Sequence, residues 1–133
     1  MAHFAKANIK RILDAELKGK DIKKALENTF MKLDDEVKHE DYSHDTGTTS
    51  CCVLITPTEI YCANSGDSRA VLCHDNKAYP LSEDHKPDRP SELQRIEKAH
   101  HSVEDNRVDG NLALSRAFGD FQYKDSKKHK PEE

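Results

Sequence analysis

The sequence predicts an α+β chain in which helices come first and antiparallel strands follow. Three observations carry this. Apolar residues recur at helical spacing through residues 1–40, the period shortens to two after Ser50, and turn-forming pairs punctuate the second half at hairpin distances. At 133 residues the chain is long enough to bury a core, although its composition, 35% apolar and 35% charged, is polar for a globular domain.

In the first helix Ile9, Ile12, Leu13 and Leu17 fall on one face, and Gly19 is a stop signal. Asp21 caps a second helix whose apolar stripe is Ile22, Ala25, Leu26, Phe30, Leu33 and Val37. Adjacent helical positions diverge, so Asp34-Asp35-Glu36 reads as a solvated face rather than a metal cage. Residues 39–46 form a polar connection.

Ser50 to Thr56 is apolar enough for a buried strand, and Pro57-Thr58 turns the chain. Glu59 to Ala63 and Ser68 to Cys73 read as two strands joined around Gly66-Asp67. Asp75-Asn76 leads into a strand from Lys77 to Leu81, which completes an antiparallel meander over 47–82. A helix starts at Pro90, with Asp88 near its cap and Leu93 and Ile96 facing inward. Asp109-Gly110 marks a hairpin between Arg107-Val108 and Asn111-Leu112, and Gln122 to Glu133 is polar loop.

A net charge of -4 with both signs interspersed gives no electrostatic case for nucleic acid, and Lys127-Lys128-His129-Lys130 reads as solvated loop. No apolar run is long enough to cross a membrane, and no signal peptide opens the chain. Cys51, Cys52, Cys62 and Cys73 contain no C-x-x-C pair. They read as buried free thiols of an intracellular protein, cytoplasmic or nuclear, with Cys51 and Cys52 on opposite strand faces.

The stretch from Ala63 to Leu72 presents one carboxylate, Asp67, at a turn gripped by flanking strands. That placement suits a metal ligand or an anion-handling acid, and equally an Asp that caps its own turn. Three further blocks accompany it: Gly47-Thr48-Thr49-Ser50, Asp84-His85-Lys86-Pro87, and the run Arg107-Val108-Asp109-Gly110-Asn111-Leu112-Ala113-Leu114-Ser115-Arg116-Ala117-Phe118-Gly119-Asp120. In this order and spacing, from about Gly47 to Lys124, they resemble the central part of the protein phosphatase 2C family, the metal-dependent Ser/Thr phosphatases.

The resemblance implies a four-layer fold, an antiparallel β-sandwich flanked by helices. It also implies hydrolysis of phosphoserine and phosphothreonine in phosphoprotein substrates by water activated between two Mg²⁺ or Mn²⁺ ions. The family's Asp-Gly-His-Gly-Gly motif and its later metal Asp residues do not occur here. The likeness therefore treats 1–133 as a partial domain: two helices over 1–40, the meander over 47–82, a flap-like segment over 84–106, and a hairpin and turn over 107–121. One family metal position transfers, Asp67, which corresponds to a ligand of a third, weaker ion; no catalytic residue transfers. A lone carboxylate is expected to be metal-free or to bind weakly through water.

His85 as a general acid and Lys86 as a phosphate anchor stand beside a purely structural turn. Arg107, Arg116 and Asp120 stand between a catalytic role, with Arg116 binding phosphate, and buried hydrogen bonds that hold the hairpin and following turn. Where the family has Ala-Gly-Gly after the flap helix, the chain has Ala99-His100-His101, so the helix is expected to end differently; a metal pair there lacks a third ligand. Two functions remain: an enzyme when the missing motifs are supplied, or an inactive phosphatase-like module that binds a partner. Unpaired sheet edges and uncovered apolar faces leave the chain marginal, aggregation-prone, or covered by a protein partner.

Overall fold

A computed structural model describes residues 1–19 and 21–124. In chain order the elements are helices α1 (Ala2–Glu16) and α2 (Ile22–Val37), strands β1 (Gly47–Thr48), β2 (Ser50–Ile55), β3 (Ile60–Ser65), β4 (Val71–His74) and β5 (Lys77–Pro80), helix α3 (Pro90–Lys98), strands β6 (Val103–Glu104), β7 (Arg107–Val108) and β8 (Phe118–Gly119), and a closing 3₁₀ turn at Phe121–Tyr123. Every strand pairing is antiparallel. The basic run at 127–130 lies outside the described residues, as does most of the expected loop from 122 onward.

The described residues divide into two units, Met1–Thr48 with 118–124, and Thr49–Ala117. In the first, α1 and α2 are built on the two apolar stripes. Asp21 accepts from Lys24 N at 3.3 Å as the cap of α2. Ala5, Ile12, Leu33 and Phe118 form the core, with Phe4, Ile9 and Phe30 packed on it. The Phe30 and Phe118 rings meet edge to face at 5.1 Å. Glu16 is buried and accepts from Asn28 Nδ2 at 2.8 Å and Lys32 Nζ at 2.6 Å, which ties α1 to α2.

Asp34 departs from the expected solvated face. It accepts from Gly119 N at 2.9 Å and from Lys124 Nζ at 2.8 Å, so α2 holds the late strand β8. Asp120 follows at φ 51 and is buried. Burial pushes its carboxyl up, with the Asp34 charge adding to that and the Lys124 ammonium opposing it.

In the second unit the expected meander resolves into separate two-stranded ladders: β2 with β3, β4 with β5, and β6 with β7. The strands on either side of Asp67 do not pair with each other. β3 is taken by β2 in full register from Ser50↔Ser65 to Ile55↔Ile60, and β4 by β5. The β2 strand is not buried throughout either. Val53 is 42% and Ile55 72% exposed, and Ile60 opposite Ile55 is 44% exposed, so one apolar face of this ladder is open. All four cysteines are free; Cys51, Cys52 and Cys62 are half-buried, but Cys73 is exposed on the short β4.

Helix α3 begins with Pro90 at its first turn, with Arg89 at the cap position and Asp88 one residue before it. Its end corrects the expectation for Ala99-His100-His101. His100 N donates to Glu97 O at 3.0 Å and His101 N to Ile96 O at 3.1 Å, with His100 at φ 65. That is the left-handed stop a Gly ordinarily makes, formed here by a histidine.

Candidate functional site

Residues 64–70 and 81–87 of the second unit run side by side and are stitched at both backbone and side-chain level. Leu81 N donates to Ala70 O at 2.9 Å, and His85 N to Gly66 O at 3.0 Å. Asn64 Nδ2 donates to Gly66 O at 3.0 Å and to Glu83 O at 2.8 Å, while Ala70 N donates to Ser82 Oγ at 2.9 Å. Gly66 is required twice over. Its φ is 107, and a Cβ there would meet Thr49 Cγ2 at 2.4 Å. The chain thus passes close over Thr49, whose Oγ1 lies 2.7 Å from Ser68 Oγ.

This stitching places Asp67 beside Lys86, whose ammonium donates to Asp67 Oδ2. Arg69 grips Asp84 with two parallel bonds, Nε and Nη2, each at 2.8 Å. The bond from Arg69 holds the Asp84 carboxyl below the usual range. The Asp-His-Lys-Pro tetrad is therefore structural at three of its positions. Asp84 holds Arg69, Pro87 is fully buried, and His85 Nδ1 accepts from Gly66 N at 3.1 Å. Burial pulls the His85 pKa down, reinforced by the Arg116 charge. A ring kept neutral, with Nδ1 already committed to backbone, is poorly placed to deliver a proton as a general acid. Lys86 has a carboxylate partner in place of a phosphate.

The strongest electrostatic feature was not singled out from the sequence. Glu92 on α3 is buried. It accepts from Arg116 Nε at 2.8 Å and Nη2 at 2.9 Å, from Ser115 Oγ at 2.7 Å, and from Arg95 Nη2 at 3.0 Å. Burial by itself would push the carboxyl up; the bonds from Arg116 and Ser115 and the charges of Arg116 and Arg95 overcome it and bring Glu92 to about 2. Its signal was available: Glu92 lies one helical turn before Ile96, on the inward face. Arg116, a candidate for phosphate binding, is spent on this carboxylate. Arg107 Nη1 donates to Asn111 O at 2.6 Å across the tight turn at Asp109-Gly110. His101 Nδ1 lies 2.6 Å from Asp109 Oδ2. The Ser102 N–H bond, with the His101 contact adding to it, holds Asp109 below its ordinary value.

The donor set does not fit a divalent-ion centre held by this chain alone. Among the described residues no three His, Cys, Asp or Glu side chains converge, and the transferred position, Asp67, is engaged by an ammonium. No helix among the described residues is long and apolar enough to cross a membrane.

Comparison with known proteins agrees with the motif reading. The family model for protein phosphatase 2C matches residues 1–132. A probable protein phosphatase 2C of Caenorhabditis elegans is 45% identical over 117 residues, covering 86% of this chain and 33% of the relative. One from Paramecium tetraurelia is 44% identical over 137 residues, covering 89% of this chain and 46% of the relative. The chain thus spans a third to a half of the length of the curated relatives it matches. Among solved structures, a phosphatase from a pathogenic strain of Toxoplasma gondii superposes with a TM-score of 0.59 at 30% identity, over 84% of this chain and 49% of that one. A Caenorhabditis elegans sex determining protein superposes with a TM-score of 0.78 over 95% of this chain and 34% of that one; at 22% identity that likeness speaks for the fold alone.

Proposed function

Because the chain belongs to the protein phosphatase 2C family, we propose that it is the central segment of the catalytic domain of a protein serine/threonine phosphatase. The observation that carries this is the family match through residues 1–132, supported by two relatives named as phosphatases of this type at 44–45% identity. In this reading a longer protein hydrolyses phosphoserine and phosphothreonine in phosphoproteins. A bound Mg²⁺ or Mn²⁺ pair would supply a water of lowered pKa and charge to offset the phosphate. The donors for that pair come from outside the present sequence, so no step through the ions is assigned to residues of this chain. Asp67 supplies one carboxylate of a weaker, peripheral ion site, held in reserve by Lys86. Residues 84–106 form a flap beside the cleft, built on the Glu92 cluster. The open apolar face at Val53, Ile55 and Ile60 is covered by the rest of the domain or by a protein partner.

The second reading is an inactive phosphatase-like binding module. It is favoured by the absence of Asp-Gly-His-Gly-Gly and of any converging donor triad among the described residues. Two measurements separate them. The chain alone, assayed on a phosphothreonine peptide with Mn²⁺, is expected to show no turnover above blank. The coding sequence on both sides is then read. If it supplies the upstream motif and two downstream Asp residues, the longer protein should turn over the peptide and lose that activity on chelation. A longer protein without turnover under those conditions would leave the binding module standing.

A further inference from the structure

The chain carries net charge -4, yet one groove of the second unit has the opposite sign. This open concavity of ≈ 700 Å³ runs along α3 and takes in Arg89, Arg95, Lys98 and Arg116 against only Glu83 and Glu92. Glu92 is buried beneath it and already saturated by Arg116, Arg95 and Ser115. Lys98 is exposed at the end of α3. Arg89 pairs with Glu83, and Arg95 and Arg116 pair with Glu92, so the four cations of the groove outnumber its two carboxylates; that surplus, with the Lys98 ammonium exposed, makes a receptor for carboxylate or phosphate groups on an extended chain.

We propose that this groove binds an acidic peptide segment, Asp-rich, Glu-rich or phosphorylated, and so selects substrates by the residues flanking the target rather than by the target phosphate itself. Its role in substrate choice rests on the phosphatase reading; the binding does not. The groove excludes Asp67 and the Lys86 tether, so a peptide seated there would add affinity without contributing to the chemistry.

The test is fluorescence anisotropy of the purified chain with two labelled decapeptides, one rich in Glu and Asp and its isosteric Gln and Asn counterpart. The acidic peptide is expected to bind about tenfold tighter at low salt, with the preference collapsing as salt screens it. Lys98→Glu should weaken it about fivefold or more, and Arg89→Glu similarly, while Lys10→Glu on α1, of equal charge change, should alter it less than about twofold. Circular dichroism melts confirm that each variant folds; if Arg89→Glu does not, Lys98→Ala replaces it with the same expected direction. Equal binding of the two peptides, or equal losses in Lys98→Glu and Lys10→Glu, would overturn the proposal. Turnover is not read in this assay, so an inactive enzyme and an empty groove give different results.

Discussion

The Asp120 carboxylate lies directly against the backbone of Gly47: a Cβ built on Gly47 would fall 1.8 Å from Asp120 Oδ2. Gly47 in β1 and Phe118–Gly119 in β8 form the ladder beside it. Gly47→Ala must therefore displace either the strand or the buried acid. It should cost about 1–3 kcal/mol, read as a lower urea midpoint with an unchanged slope. Asp120→Gly, which tolerates the left-handed backbone at 120, should recover part of that loss in the double variant. Additive losses would show that the two residues do not compete for the same space.

Glu92 sets an acid limit on stability. Its folded pKa is about 2, below the ordinary 4.5, so its contribution is fully present above the unfolded value and is lost as pH falls from about 4.5 towards 2. The side chain is only 4% exposed, and the shift corresponds to on the order of 3 kcal/mol. Urea unfolding from pH 7 to pH 3 should show this decline. Glu92→Gln should be less stable at pH 7 and flatter across the acid range.

His100 pays a backbone cost at the end of α3 that glycine avoids. With φ at 65 and the side chain exposed, His100→Gly should raise stability by about 0.5–1 kcal/mol, since relief of the left-handed strain outweighs the extra freedom of the unfolded chain. The same substitution at His101 should not stabilise, because its side chain holds Asp109. A thermal melt of both variants checks the pair.

The thiols should divide by reactivity. Burial, with Cys51 beside it at 3.9 Å between sulfurs, pushes the Cys62 thiol up to about 11. Burial likewise raises Cys52. Cys73 is exposed. At pH 7.5 iodoacetamide should label Cys73 first and leave Cys52 and Cys62 largely unmodified until denaturant is added. Peptide mapping by mass spectrometry gives the order.

Helices α1 and α2 were legible because each has a full apolar stripe, and α2 carries its own Asp21 cap; α3 was legible from Pro90 at its start. The turn at Gly66-Asp67 was legible as a bend but not as a partner choice. Turn residues report local backbone, whereas strand pairing depends on which neighbour takes the edge, and β2 takes all of β3. Asp105-Asn106 adopts the same pair of positive φ values, 51 and 60, as Asp75-Asn76 at 48 and 56, yet only the second was read as a turn. The difference lay in context: a strong Asp109-Gly110 signal stands four residues later and drew the hairpin assignment to itself. Asp34 was hidden by its acidic neighbours, because composition does not tell which of three adjacent carboxylates turns inward to meet a strand far along the chain. For the candidate site, motif order pointed to Asp67 and the tetrad, but not to the closing of Lys86 on Asp67 or the burial of Glu92 by α3.

The bond from Gly119 N to Asp34 spans 85 positions of sequence, and it has a consequence for biosynthesis. A ribosome releases α2 early and delivers Phe118 and Gly119 much later. At about 5–20 residues per second, Phe30 and Asp34 wait ~4–17 s for the residues that close over them. During that interval the nascent stripe is available to holdase chaperones, and the unit begun first is finished last.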